Sequence, residues 1–192
     1  MRICVYAGSN CGGSPIYRRA ASIFGRLLAR EGIGLVYGGA SIGLMGALAD
    51  GVLECGGEAI GVIPEALKNV ERAHPKLTEL RIVGSMHERK AAMAALADAF
   101  VALPGGIGTF EELFETWTWS QLGVHAKPCA LLNVAGFYNG LAEFLDHVVV
   151  EQFLKPVHRD ILIVEDDPET LLDAIRRAHV PIVPKWFGID AT

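Results

Sequence analysis

At 192 residues, 51% hydrophobic and 20% charged with 22 glycines, the chain has the length of one domain with a full apolar core, and its composition argues against a disordered or fibrous protein. Its 17 basic and 22 acidic residues give a net charge of −5 without a basic run, which argues against a nucleic-acid partner. The N-terminus "MRICVYAGSN" lacks the pattern of a signal peptide and no apolar stretch reaches 18 residues, so the expectation is a cytoplasmic protein with no membrane partner.

Short apolar or β-branched runs alternate with longer helical patterns along the chain. The run "RICVYA" (2–7) predicts a strand that passes through "AGSNCGGS" (7–14), which contains Ser9, into a helix near 15–30. A second strand, "GLVYG" (34–38), leads through "YGGASIGLMG" (37–46) into a helix near 43–55. The strand "EAIGVI" (58–63) is followed by a long connection over 64–80 that carries Glu71. The charged junction "GSMHERK" (84–90) opens a helix near 86–97, and "AFVAL" (99–103) runs through "PGGIGT" (104–109) into a helix near 109–121. The strands "PCALLN" (128–133) and "ILIVE" (161–165) precede helices near 137–151 and 168–179, and residues 180–192, with Trp186 and Phe187, read as a surface tail. The strands lack polar–apolar alternation, as strands buried on both faces do. Repeated βα units imply a single Rossmann-like α/β domain over 1–192, with a doubly wound parallel sheet and helices on both faces.

Such sheets bind ligands beyond the carboxyl ends of their strands, so the four junctions should share one edge. "YGGASIGLMG" holds Gly38 and Gly39 but not the GxGxxG spacing, and no acid stands where a ribose diol would be held. Its glycines fit a plain strand-to-helix turn and a phosphate contact equally well. In "PGGIGTFEE", Gly105, Gly106 and Gly108 free the backbone, with Ile107 among them, to point amides at an anion, and Thr109 adds a hydroxyl at the helix N-terminus. Thr109 and Glu112 also have the spacing of a capping box, but a cap requires none of the three glycines.

In "SMHERKAAM", Ser85 and Glu88 form a second capping box, while Met86, Arg89, Lys90 and Met93 lie on one helical stripe. Two cations on the inward stripe of a helix's first turns run against the dipole, which points to an anionic ligand: Arg89 as a bidentate fork and Lys90 as a point charge. Glu71, on sequence alone, reads as a surface acid. His74, His87 and His125 match no metal spacing and read as solvated or turn-capping residues; no metal is expected. Cys4, Cys11, Cys55 and Cys129 form no CxxC pair and read as buried free thiols in a reducing compartment. No GxSxG elbow and no lysine in a Schiff-base setting is present. Trp119 falls on the acidic face of its helix beside Glu112 and Glu115, which places it in a ligand cleft or at a subunit interface.

Together, "PGGIGTFEE" (a match to PGGxGTxxE), "SMHERK", "VYGGASIGLMG" and "TWSQLGVHAKP" resemble the Lonely Guy family of cytokinin-activating phosphoribohydrolases, from residue 2 to about 165. The resemblance implies hydrolysis of the N-glycosidic bond of AMP or an N6-modified AMP to free base and ribose 5-phosphate, without a cofactor, by a homodimer or higher homo-oligomer. It further implies that Gly105 to Thr109 hold the 5′-phosphate, that Glu112 and Arg89 are catalytic, and that Glu111 bonds the ribose hydroxyls. Lys90, Glu71, Gly38, Gly39, Ser9 and Met86 would complete the substrate contacts. The sequence does not divide the roles of Glu111 and Glu112. Two other classes stay open: a nucleotide or cofactor carrier that does not cleave its ligand, and an NAD(P)-dependent oxidoreductase, which the missing fingerprint disfavours.

Overall fold

The structure, a computed structural model, describes residues 1–68 and 72–181. Strands β1 (Arg2–Tyr6), β2 (Gly34–Tyr37), β3 (Ala59–Pro64), β4 (Glu79–Val83), β5 (Ala99–Ala102), β6 (Cys129–Leu132) and β7 (Leu162–Glu165) pair in the order β4-β3-β2-β1-β5-β6-β7, all parallel. The order reverses direction at β1 and β5, so the doubly wound expectation holds, and loops leaving these two adjacent strands diverge to open a crevice. The helices are α1 (Pro15–Arg30), α2 (Gly43–Glu54), α3 (Met86–Leu96), α4 (Ile107–Gln121), α5 (Asn139–Val150), α6 (Pro156–Arg159) and α7 (Pro168–Arg177).

Alternation along the central strands sorts side chains into two cores. Ile3, Val5, Val101 and Leu103 pack with α1, α2 and α7 on one face, while Cys4, Tyr6, Phe100 and Ala102 pack with α3, α4 and α5 on the other. A further strand, β4, which the sequence pattern does not indicate, starts at the end of the 64–80 connection and runs on to Val83. It is an edge strand paired only with β3, and Ile82 is largely exposed, so it shows neither the continuous burial nor the composition of the central strands. The short helix α6 is likewise absent from the sequence pattern.

Three helix starts carry side-chain caps: Ser14 accepts from the Ile16 amide, Ser85 from Glu88 and Asp167 from Thr170. The Ser85 box closes, because the Gly84 amide donates to the Glu88 carboxylate at 2.8 Å. Helix α4 departs from expectation. It begins at Ile107 with Gly106 as N-cap and no side-chain cap, so the anticipated Thr109–Glu112 box does not form. The glycines let the helix start two residues early, which moves Thr109 to its third position.

Other expectations are corrected by burial. On α5, Leu145 is buried and Leu141 packs against the core, while Phe144 remains 60% exposed. Cys4 and Cys129 are buried, but Cys11 and Cys55 are exposed. His74 is buried rather than solvated, and of its two expected roles it takes the turn-capping one, accepting from the Lys76 amide at 3.2 Å. Trp119 packs against the core on the α3–α4 face and does not line the cleft described below. Among the described residues, no helix is long and apolar enough to cross a membrane. Glu71, Trp186 and Phe187 lie outside the described residues.

Candidate active site

A cavity of about 260 Å³ lies at the β1/β5 divergence, beyond the carboxyl ends of the strands. Its walls are Ala7, Gly8 and Ser9 after β1, Met45 of α2, Met86 and Arg89 of α3, and Gly106 to Thr109 with Glu111 and Glu112 of α4. Nine of the anticipated site residues therefore meet in one cleft: Ser9, Met86, Arg89, Gly106, Ile107, Gly108, Thr109, Glu111 and Glu112. Ala7, Gly8 and Met45 complete it and went unrecognised in the sequence, although Met45 sits inside a glycine-rich junction already of interest. A larger cleft of about 560 Å³ lies at the opposite edge of the sheet, where Arg2 and Glu58 satisfy each other at 2.8 Å.

The two crossing loops are locked together. The Gly8 amide donates to Pro104 O at 3.1 Å, and the Leu44 amide donates to Gly8 O at 2.9 Å. Gly105 belongs to this seam rather than to the cleft wall: a Cβ there would stand 2.1 Å from Thr109 Oγ1 and 3.0 Å from the Gly8 nitrogen. Thr109 itself is buried beneath the loop. Gly106 and Gly108 differ, because a Cβ on either would meet nothing within 4 Å. The first amides of α4 have no intrahelical acceptor, and its first turn carries no acidic residue to offset the dipole. Bare amides, open space above them and a positive helix end make this the anion-attracting corner of the cleft.

Arg89 and Lys90 are both buried, as their place on the inward stripe of α3 anticipates. They divide the work. Arg89 lines the cleft and donates from Nη2 to Gly38 O at 3.2 Å, and its Nη1 lies 3.8 Å from Met86 Sδ. Gly38 is fixed by that approach, since a Cβ would fall 2.1 Å from Arg89 Nη2. Gly38 and Gly39 thus stand behind the arginine and do not line the cleft.

Lys90 does not line the cleft either. Its Nζ bonds Glu111 Oε1 and, at 3.1 Å, Glu115 Oε1. Burial alone lowers the Lys90 pKa, but its bonds to Glu111 and Glu115 outweigh that and the net shift is upward. The lysine therefore remains a cation that ties α3 to α4 and sets the direction of Glu111. Glu111 and Glu112 both line the cleft with Arg89, but only Glu111 is tied to Lys90; Glu112 lies near the buried Tyr6, whose phenol is kept neutral chiefly by burial and further by nearby Cys4 and Glu112.

The cleft at the topological switch thus combines an anion-attracting corner, an arginine and two carboxylates. The family model described as "Possible lysine decarboxylase" matches residues 45–175. The cytokinin riboside 5′-monophosphate phosphoribohydrolase of Rhodococcoides fascians is 49% identical over 175 residues, covering 91% of this chain and 88% of that protein. The chain belongs to the Lonely Guy family. A relative of the same name in Arabidopsis thaliana is 47% identical over 171 residues, 89% of this chain and 79% of its own length. Among solved structures, the molybdenum cofactor carrier protein of Chlamydomonas reinhardtii superposes with a TM-score of 0.69 at 21% identity, covering 92% of this chain and 96% of that one, a likeness of fold alone.

Proposed function

We propose that this Lonely Guy protein hydrolyses the N-glycosidic bond of AMP or an N6-modified AMP, releasing the free base and ribose 5-phosphate. One observation carries the reading: the uncapped N-terminus of α4, Arg89 and Glu112 line the same 260 Å³ cleft. The 5′-phosphate sits on the amides of Gly106, Ile107 and Gly108, which Gly105 and Thr109 hold in shape, with Ser9 on the opposite rim. Glu111, steered by Lys90, accepts hydrogen bonds from the ribose hydroxyls. Met45 and Met86 offer apolar surface to the base.

In the reaction the C1′–N9 bond breaks and its electron pair leaves with the base, while positive charge builds on the ribose ring. Glu112 stabilises that charge and takes a proton from the attacking water, whose oxygen bonds C1′; the base gains a proton on release. Arg89 holds the ligand and orients the Glu112 carboxylate. Lys90, kept charged by Glu111 and Glu115, has no free amine for a carbonyl substrate, which favours a hydrolase over the decarboxylase of the family description.

The reading includes assembly of two or more copies, supported by the exposed apolar residues Phe144 and Val150 of α5 and Phe153 just after it, and a reducing, cytoplasmic setting suited to four free cysteines. Incubation with AMP and with isopentenyladenosine monophosphate, followed by chromatography of the base, tests the activity. Release of base and ribose 5-phosphate in equal amounts is expected. Tight binding without release from either nucleotide would replace the hydrolase with a carrier.

A further inference from the structure

The connection between β3 and β4 is strapped to the β2–α2 junction, and the strap centres on His74. Its side chain is 5% exposed. The ring Nδ1 accepts from the Lys76 amide at 3.2 Å, which leaves the hydrogen on Nε2 to be donated to Asp50 Oδ1 of α2, also at 3.2 Å. The His74 amide donates to Gly39 O at 2.8 Å. Two residues earlier, Arg72 holds a left-handed φ of 49°, and its carbonyl accepts from both the Ser41 amide at 2.9 Å and Ser41 Oγ at 2.8 Å. A non-glycine residue in that region persists only where its surroundings hold it there.

What the strap grips is the peptide pair Gly38–Gly39. The Gly38 carbonyl accepts from Arg89 Nη2, and the Gly39 carbonyl accepts from His74. Gly39 sits at a φ of +81° and has no side chain to resist rotation of its peptide. With one carbonyl held by the strap, the other is held toward the arginine. Resting on the proposed function, we infer that His74, backed by Asp50, is a positioning residue that aims Arg89 into the cleft through the Gly38–Gly39 backbone. His74 does not line the cleft, so its role is positioning and not catalytic.

A double-mutant cycle on nucleotide binding tests this. AMP affinity is measured by calorimetry in a Glu112→Gln parent, which prevents turnover. Replacing His74 by Leu in that parent should weaken AMP binding about fivefold, the size of one lost hydrogen bond in a buried setting. The same replacement in a parent that also carries Arg89→Gln should change affinity less than twofold, because the group being aimed is gone. Asp50→Ala, an exposed change on α2 that keeps the fold if His74→Leu does not, should show the same dependence at about threefold, and Asp50→Asn, which retains an acceptor, should restore binding. Equal weakening with and without Arg89, or none with it, would overturn the inference even if the wild-type protein releases base. Coupling without base release would retain the positioning role and remove the hydrolase. A parent that fails to bind AMP would overturn both.

Discussion

On one face of the sheet, α1, α2 and α7 close over Phe24, Leu28, Leu48 and Leu171 with hardly a polar atom between them. On the other, under α3, α4 and α5, the interior takes in Arg89, Lys90, Thr116 and Ser120 alongside Leu113 and Trp117. Both faces use the same strands and the same alternation. The difference lies in the helices. Gly25 and Gly51 let α1 and α2 approach until a Cβ at Gly25 would stand 2.2 Å from Leu48 O, whereas α3 and α4 meet through a lysine shared between two carboxylates. A face packed to contact fixes the fold; a face joined by charge brings polar groups to a cleft, at the cost of burying cations that must be paired.

That contrast can be broken from either side, and the strongest effect belongs to the charged face. Glu112→Gln should reduce kcat for AMP by about a thousandfold, while leaving affinity within a few-fold and the melting temperature nearly unchanged. Steady-state kinetics beside a thermal melt check the separation, and near-normal turnover would transfer the role to Glu111. The apolar face should answer in the opposite sense. Gly25→Ala should cost about 2–3 kcal/mol by overpacking, a fall of roughly 5–10 °C in Tm, with kcat per folded molecule intact.

Smaller effects sharpen the comparison. Asp167 caps α7 through the Thr170 amide at 2.8 Å, and this bond, the largest of the causes, holds its carboxyl below the usual range. Asp167→Ala should cost about 1 kcal/mol of denaturation free energy without touching activity. The least effect is expected at His125, which packs against Phe100 on the charged face, its ring centroid 5.2 Å away. Burial, and then the charge of Lys127, push its pKa below the ordinary value of 6.5. The neutral ring is therefore the folded form. Its contribution is complete above about pH 6.5 and is lost as the pH falls toward the lower native value, so a wild-type stability profile should dip there and a His125→Asn profile should dip less.

The central architecture was legible because β1, β2, β3, β5 and β6 are buried on both faces and read as continuous apolar runs. Edge strand β4 broke that rule by facing solvent, and its "ELRIV" carries two charges in five residues. In the site, Arg89 and Lys90 betrayed their burial by spacing alone, but not their separate partners, which depend on a neighbouring helix. The start of α4 was misread because Thr109 and Glu112 obey the spacing of a cap, while flexible glycines allow a helix to begin before any capping side chain. The strap through His74 left no sequence signature, since its partners Gly39 and Asp50 lie 35 and 24 residues away and one of them is a backbone carbonyl.

The missing side-chain cap of α4 has a thermodynamic consequence. Ser14, Ser85 and Asp167 finish their helices from within the chain, whatever the solution contains. On the proposed function, helix α4 would be finished by the anion in the cleft, and the phosphate of a nucleotide would serve as a structural part supplied from outside. Stability and occupancy then become linked quantities: the melting temperature should climb with the logarithm of ribose 5-phosphate once its dissociation constant is passed. The same phosphate that locates the substrate would delay the departure of the product, and the chain that reads a nucleotide would by that token sense how much sugar phosphate has accumulated around it.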